Sequence, residues 1–212
     1  MPEIKICGIR DGAAMDAVAE AGAEWVGFVF FPPSPRHVTP AEAHALAARH
    51  PGGPKPVALL VNPSDVDVEL ALHAAPFAAL QVHASAERAA AIQTRFGVPV
   101  WHAIGVADAK DLPLAAPGVT RLMLDRKAPA HAPLPGGNAE TFDWSVLQGW
   151  ASPAPWILAG GLTPDTVADA IRRTGAPTVD VSSGVERVRG VKDAALIHAF
   201  VRAARSARDL AT

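Results

Sequence analysis

A single cysteine, Cys7, occurs among the 212 residues. No internal disulfide can form, which fits a reducing cytoplasm. Charge of one sign is not in excess either. The chain has 19 Lys and Arg against 21 Asp and Glu, a formal net charge of -2, so nothing marks a partner as nucleic acid or an anionic membrane surface. No apolar run approaches the roughly 20 residues that cross a bilayer, and the N-terminus lacks the basic-then-apolar pattern of a secretory signal. The first strand-to-helix turn, CGIRDG, is not the GxGxxG of a dinucleotide-binding sheet. The first strand also has no H-x-H pair of the kind that holds metal in many barrel hydrolases. What the chain does have is apolar substance, 50% of its residues, ample for a sizeable core.

That substance is distributed in alternation. Short runs rich in β-branched residues lie at 3–7, 24–30, 55–61, 78–82, 98–103, 119–124, 154–159 and 176–181. Between them the spacing predicts helices at 11–22, 39–50, 63–74, 85–96, 107–116, 143–150, 163–173 and 193–207. Thr39-Pro40, Asn62-Pro63 and Thr163-Pro164 read as helix starts, and Gly22, Gly97 and Gly175 stand where C-caps belong. Strict β-then-α alternation implies parallel strands joined by right-handed crossovers. Eight units and the absent dinucleotide motif favour a single-domain (β/α)8 TIM barrel of the phosphate-binding type, spanning 1–212, over an open sheet. The Pro/Gly-rich stretch 127–137 reads as an active-site loop after the sixth strand.

Chemistry in such a barrel belongs at the C-terminal ends of the strands. Those positions hold Cys7, Arg36, His83, His102, Asp125, Gly160-Gly161, and Asp180 followed by Ser182-Ser183-Gly184. The glycine-bearing turns after strands seven and eight read either as one phosphate site or as ordinary βα turns, and the position in the fold favours phosphate. Arg36, on the proline-stiffened FFPPSPRHV, is a carboxylate clamp or a solvated surface residue. Cys7 and Asp125, from strands one and six, form a base and acid pair or a buried small hydrophobe and a turn cap. As a base Cys7 needs a pKa below its reference of about 8.5, and as an acid Asp125 needs one raised by burial. His83, His102, Asp125 and Asp180 also make a conceivable His2Asp2 metal set, against which stands the wide separation of all four in sequence.

KICGIR (5–10), GFVFFPPSPRHV (27–38), LQVHA (80–84), LMLDRK (122–127), GGNAETFDW (136–144), ILAGGL (157–162) and DVSSGVE (180–186) fall in one order. In that order the sequence resembles the phosphoribosylanthranilate isomerase family over essentially its whole length. The resemblance implies an Amadori rearrangement of N-(5-phosphoribosyl)anthranilate in tryptophan biosynthesis, with no cofactor and no metal. It also implies a cytoplasmic monomer or homodimer acting on a phosphorylated small molecule. By resemblance Cys7 is the base and Asp125 the acid, Arg36 holds the substrate carboxylate, and Gly160, Gly161, Ser182, Ser183 and Gly184 hold phosphate. His83 and Asp180 line the pocket. The chain departs from the family pattern at Arg10, Ala84, Asn138-Ala139 and Arg189-Gly190. Three rivals remain: a metal-dependent pentose-phosphate epimerase, a non-catalytic sugar-phosphate-binding barrel, and an isomerase that also takes the analogous histidine-pathway aminoaldose.

Overall fold

The computed structural model of the protein describes residues 1–127 and 142–207. Eight parallel strands close in chain order into a barrel. They are β1 (Glu3–Cys7), β2 (Trp25–Phe30), β3 (Lys55–Val61), β4 (Ala79–His83), β5 (Val100–Val106), β6 (Arg121–Arg126), β7 (Trp156–Leu158) and β8 (Thr178–Val181). Outside them, among the described residues, run six α-helices: α1 (Gly12–Ala21), α2 (Pro40–Ala47), α3 (Asp65–Ala74), α4 (Ala86–Phe96), α5 (Val167–Thr174) and α6 (Ala194–Ser206). A small antiparallel hairpin, β9 (Glu186–Val188) and β10 (Val191–Lys192), follows the last barrel strand.

The two-residue period of a strand sorts each run into two cores. Ile4, Ile6, Val26 and Phe28 face outward into the large cluster shared with the helices. Trp25, Val57, Ala79, Trp101, Met123 and Ile157 face inward and fill the lower barrel. The same alternation leaves Lys5 and Cys7 on the inner face of β1, with Cys7 opposite Gly27 and Lys5 opposite Asp180.

The helices predicted at 107–116 and 143–150 are not α-helices. Only 3-10 turns form there, at Ala109–Asp111 and Trp144–Leu147. Pro113 removes a backbone donor from the first, and Pro117-Gly118 closes it off. The second is a short run that stops before Gly149, whose φ is 78°. Among the proline starts, Thr39 caps α2 with a full capping box and Pro40 in its first turn. The other two slip. Ser64, not Asn62, caps α3 through a box with Asp67, and α5 begins only at Val167, whose N–H donates to the Thr163 carbonyl at 3.0 Å. Gly22, Gly97 and Gly175 all take the left-handed C-cap conformation. Of the stretch read as an active-site loop only Lys127 is described; the rest, with Asn138 and Ala139, lies outside the described residues.

Candidate active site

At the C-terminal end of the barrel a small open pocket is lined by Asp125, Gly160, Gly161, Leu162, Asp180, Val181, Ser182 and Ser183. Three strand ends and two turns therefore converge, as the sequence order suggested. Beneath them lies an arrangement that strand alternation creates. Lys5, fully buried, donates from Nζ to Asp180 Oδ1 at 2.6 Å and to Gln81 Oε1 at 2.9 Å. Gln81 in turn donates from Nε2 to His83 Nε2 at 3.0 Å, which leaves the His83 proton on Nδ1. Burial, with the charges of Lys5 and His102 nearby, pushes His83 down to about 4. It is a neutral ring near pH 7, with a donor nitrogen opposite the one that Gln81 occupies.

Cys7 is 3% exposed. A Cβ added at Gly27, its partner on β2, would lie 2.7 Å from Cys7 Sγ and 3.1 Å from Lys5 Nζ. Only glycine leaves room there for the thiol and ammonium together. Burial pushes the Cys7 thiol up, Lys5 pulls it back and Asp180 pushes it up again. The expected lowering is thus not found. The reason is burial, which disfavours the thiolate more than one cation already paired with Asp180 restores. Asp125 behaves as expected. Burial and the Asp180 charge raise it to about 7, against the opposing Arg126 N–H and Lys5.

Arg36 is not a surface residue. It is 4% exposed, and its Nε and Nη2 donate to the two carboxylate oxygens of Glu186 at 2.7 and 2.9 Å. Glu186 also accepts from Lys192 Nζ at 2.8 Å and from the Gly190 N–H at 2.9 Å. Burial alone would raise its carboxyl; Arg36 and Lys192 outweigh that and hold it down at about 2. The Nε–Nη2 edge of Arg36 is thereby taken. Arg10, the departure close to Cys7, donates instead to the Pro35 carbonyl at 2.8 Å.

The glycine turn after β7 crosses Asp125 closely. Gly160 has a φ of 86°, and a Cβ on it would lie 2.7 Å from the Arg126 nitrogen and 3.0 Å from Asp125 Oδ1. After β8 a 3-10 turn, Ser183–Val185, follows directly. Ser182, also on the pocket lining, donates its hydroxyl to the Cys7 carbonyl at 3.1 Å, and Lys192 donates to its carbonyl at 2.9 Å. His102 lies near His83 but on the opposite face of the barrel wall from the inward-facing residues. It sits within β5, between the inward-facing Trp101 and Ala103, so it points out of the barrel, with Nε2 2.9 Å from the Ala84 carbonyl.

Residues 4–203 match the family model described as N-(5'phosphoribosyl)anthranilate (PRA) isomerase. The chain belongs to that family. An N-(5'-phosphoribosyl)anthranilate isomerase of Granulibacter bethesdensis is 52% identical over 97% of this chain and 99% of its own. Among solved structures, monomers generated from the dimeric phosphoribosylanthranilate isomerase of Thermotoga maritima superpose with a TM-score of 0.82. They share 31% identity, covering 97% of this chain and all of theirs. A phosphoribosyl anthranilate isomerase in complex with reduced 1-(o-carboxyphenylamino)-1-deoxyribulose 5-phosphate gives a TM-score of 0.82 at 30% identity, with 97% and 100% coverage.

Four residues of this isomerase-family site escaped the sequence reading: Lys5, Gln81, Glu186 and Lys192. Lys5 and Gln81 each stand two positions before a residue that was read, Cys7 and His83, and so on the same strand face. That spacing was a usable signal. Glu186 stands at the end of DVSSGVE (180–186), but its partner Arg36 is 150 positions away, and nothing in one sequence joins them.

Proposed function

We propose that the chain isomerises N-(5-phosphoribosyl)anthranilate to 1-(2-carboxyphenylamino)-1-deoxyribulose 5-phosphate in tryptophan biosynthesis, with Asp125 as general acid and Cys7 as general base. The observation that carries the assignment is Asp125, a carboxyl on the pocket wall that keeps its proton up to about pH 7. It gives that proton to the furanose ring oxygen as the C1'–O bond breaks and the nitrogen lone pair forms an iminium. The Cys7 thiolate then takes the C2' proton, and the C–H electrons become the C1'=C2' bond of an enolamine, which tautomerises to the ketone. The iminium acidifies that C–H bond, so a modest base suffices.

Around this pair, the free edge of Arg36 takes the anthranilate carboxylate. Backbone N–H groups at Gly160, Gly161, Ser183 and Gly184 take the phosphate, with Ser182 fixing the turn through its bond to Cys7. His83 and Asp180 line the pocket. The described residues form one barrel domain, and the protein is cytoplasmic, working as a monomer or homodimer. Among the described residues no helix is long and apolar enough to cross a membrane.

The competent form holds a thiolate and a carboxylic acid together. Because the acid's pKa lies below the base's, this is a minor ionisation state at any pH. Its population rises through about pH 7, levels off, and falls once the thiol has titrated. Turnover of freshly made phosphoribosylanthranilate, followed by its fluorescence, should trace that profile. Cys7→Ser and Asp125→Asn should each lower kcat by roughly 10²–10⁴. Near-wild-type turnover in either variant removes that residue from its role, and an inactive parent chain removes the reading altogether.

A further inference from the structure

A lysine with no exposed atom is rare unless its charge is matched and used. Lys5 lies below the pocket rather than on its wall, so no substrate atom is required to touch it. Two of its three N–H donors are committed, to Asp180 and Gln81, and its charge also acts directly on the Cys7 thiol. The glycine at position 27 keeps Sγ and Nζ side by side, since any larger residue would press on both. Resting on the isomerase reading above, we propose that Lys5 is a positioning residue whose buried ammonium allows the Cys7 thiolate to form, while its hold on Gln81 fixes the proton of His83 on Nδ1.

The other charged groups around the thiol oppose this or supply less of it. Asp180, from β8, opposes the thiolate. Lys192, from β10, favours the thiolate less than Lys5 does; it is bonded to Glu186 and Ser182, and its charge is shared with a carboxylate that Arg36 also holds. Asp125, from β6, is the acid and neutral in the competent form; His83, from β4, is neutral near pH 7. The facing residue of β2 is Gly27, with no side chain. Lys5 is the nearest cation on the thiol's own strand face, two residues away on a rigid element.

A lysine kept only to neutralise Asp180 would leave the thiol indifferent to it, and that difference is measurable. The chain has one cysteine and no tyrosine, so ultraviolet absorbance of the thiolate during alkaline titration reports Cys7 alone, without tyrosinate. In Lys5→Met the midpoint should move up by roughly 1 to 3 pH units. That variant leaves Asp180 buried and unpaired and is at risk of unfolding. The double variant Lys5→Met/Asp180→Asn removes both charges, a change that buried pairs tolerate better. Its midpoint should still rise, by less, because of the two charges the one with the larger effect on the thiol favours the thiolate. In step with this, the alkaline limb of kcat/KM should shift upward and kcat fall, with KM little changed. A double variant that titrates like the parent chain means that Lys5 only neutralises Asp180, and overturns the proposal. The titration needs no substrate, so its result stands apart from whether the chain turns over phosphoribosylanthranilate.

Discussion

The two ends of the barrel are built from the same strands and treat buried charge in opposite ways. At the N-terminal floor, Trp25 and Trp101 meet edge to face with centroids 4.8 Å apart. Arg121 lies 5.3 and 5.2 Å from their ring centres, and its Nη1 is 2.5 Å from Glu3 Oε2. That guanidinium covers aromatic surface and closes the barrel. At the mouth, two residues further along β1 and β8, Lys5 and Asp180 make an equally close pair. Above them stand glycine turns and an open pocket rather than indole rings. A cation on aromatic faces has its charge absorbed locally. A cation beneath a thiol and a carboxyl acts on the ionisation of both, favouring the charged form of each. The difference lies in what the neighbouring strands supply at each level, bulk at the floor and vacant volume with titratable groups at the mouth.

Removing the anion that holds the mouth should cost most. Glu186→Ala leaves Arg36 and Lys192 buried without their counter-charge, a loss of about 3–5 kcal/mol. Arg36 also loses its fixed orientation, so KM should rise in the same variant. Denaturant unfolding and steady-state kinetics read the two effects; a loss of stability with KM unmoved would take Arg36 away from the substrate. At the floor, Trp101→Ala should cost a similar or slightly smaller amount, about 3–4 kcal/mol, through the cavity it leaves. Here kcat should stay within about twofold at a temperature where the variant is folded. A tenfold fall in kcat with the fold intact would show that the floor steers the chemistry, and the contrast between the ends would not hold.

The barrel was legible because its signal is local. Each strand is a short apolar run, and each strand end could be read without knowing its neighbours. The two helical stretches that became 3-10 turns carried the apolar content of a helix. Pro113 in the first, and brevity before Gly149 in the second, outweighed it. At the site, Cys7 and Asp125 were legible by position. What surrounds them depends on which residues burial removes from water. The thiol's pKa moved opposite to expectation for that reason, and Arg36 proved to be part of a buried ion cluster rather than a solvated loop. Lys5 was the recoverable omission, a charge between Ile4 and Ile6 on the same strand face as Cys7.

The smallest expected effect separates stability from chemistry most cleanly. Folding raises the Asp125 carboxyl from an ordinary aspartate value near 4 to about 7, because burial and Asp180 both resist its ionisation. Below about pH 4 both folded and unfolded chains hold this proton, and the group leaves stability unchanged. Between about 4 and 7 the unfolded chain has released the proton while the folded one keeps it, so stability falls as pH rises. Above 7 the folded state carries the full cost of a charge it disfavours. Asp125→Asn cannot ionise and escapes that cost. At pH 8 it should therefore be more stable than the parent chain, by on the order of 2 kcal/mol after partial solvent screening, and at pH 4 the gain should vanish. Paired melting curves across that range decide it. Parallel curves would mean that Asp125 has an ordinary pKa and cannot hold a proton for the ring oxygen at neutral pH. A gain that grows with pH, in a variant whose turnover has collapsed, would show that the mouth gives up stability to keep one carboxyl protonated.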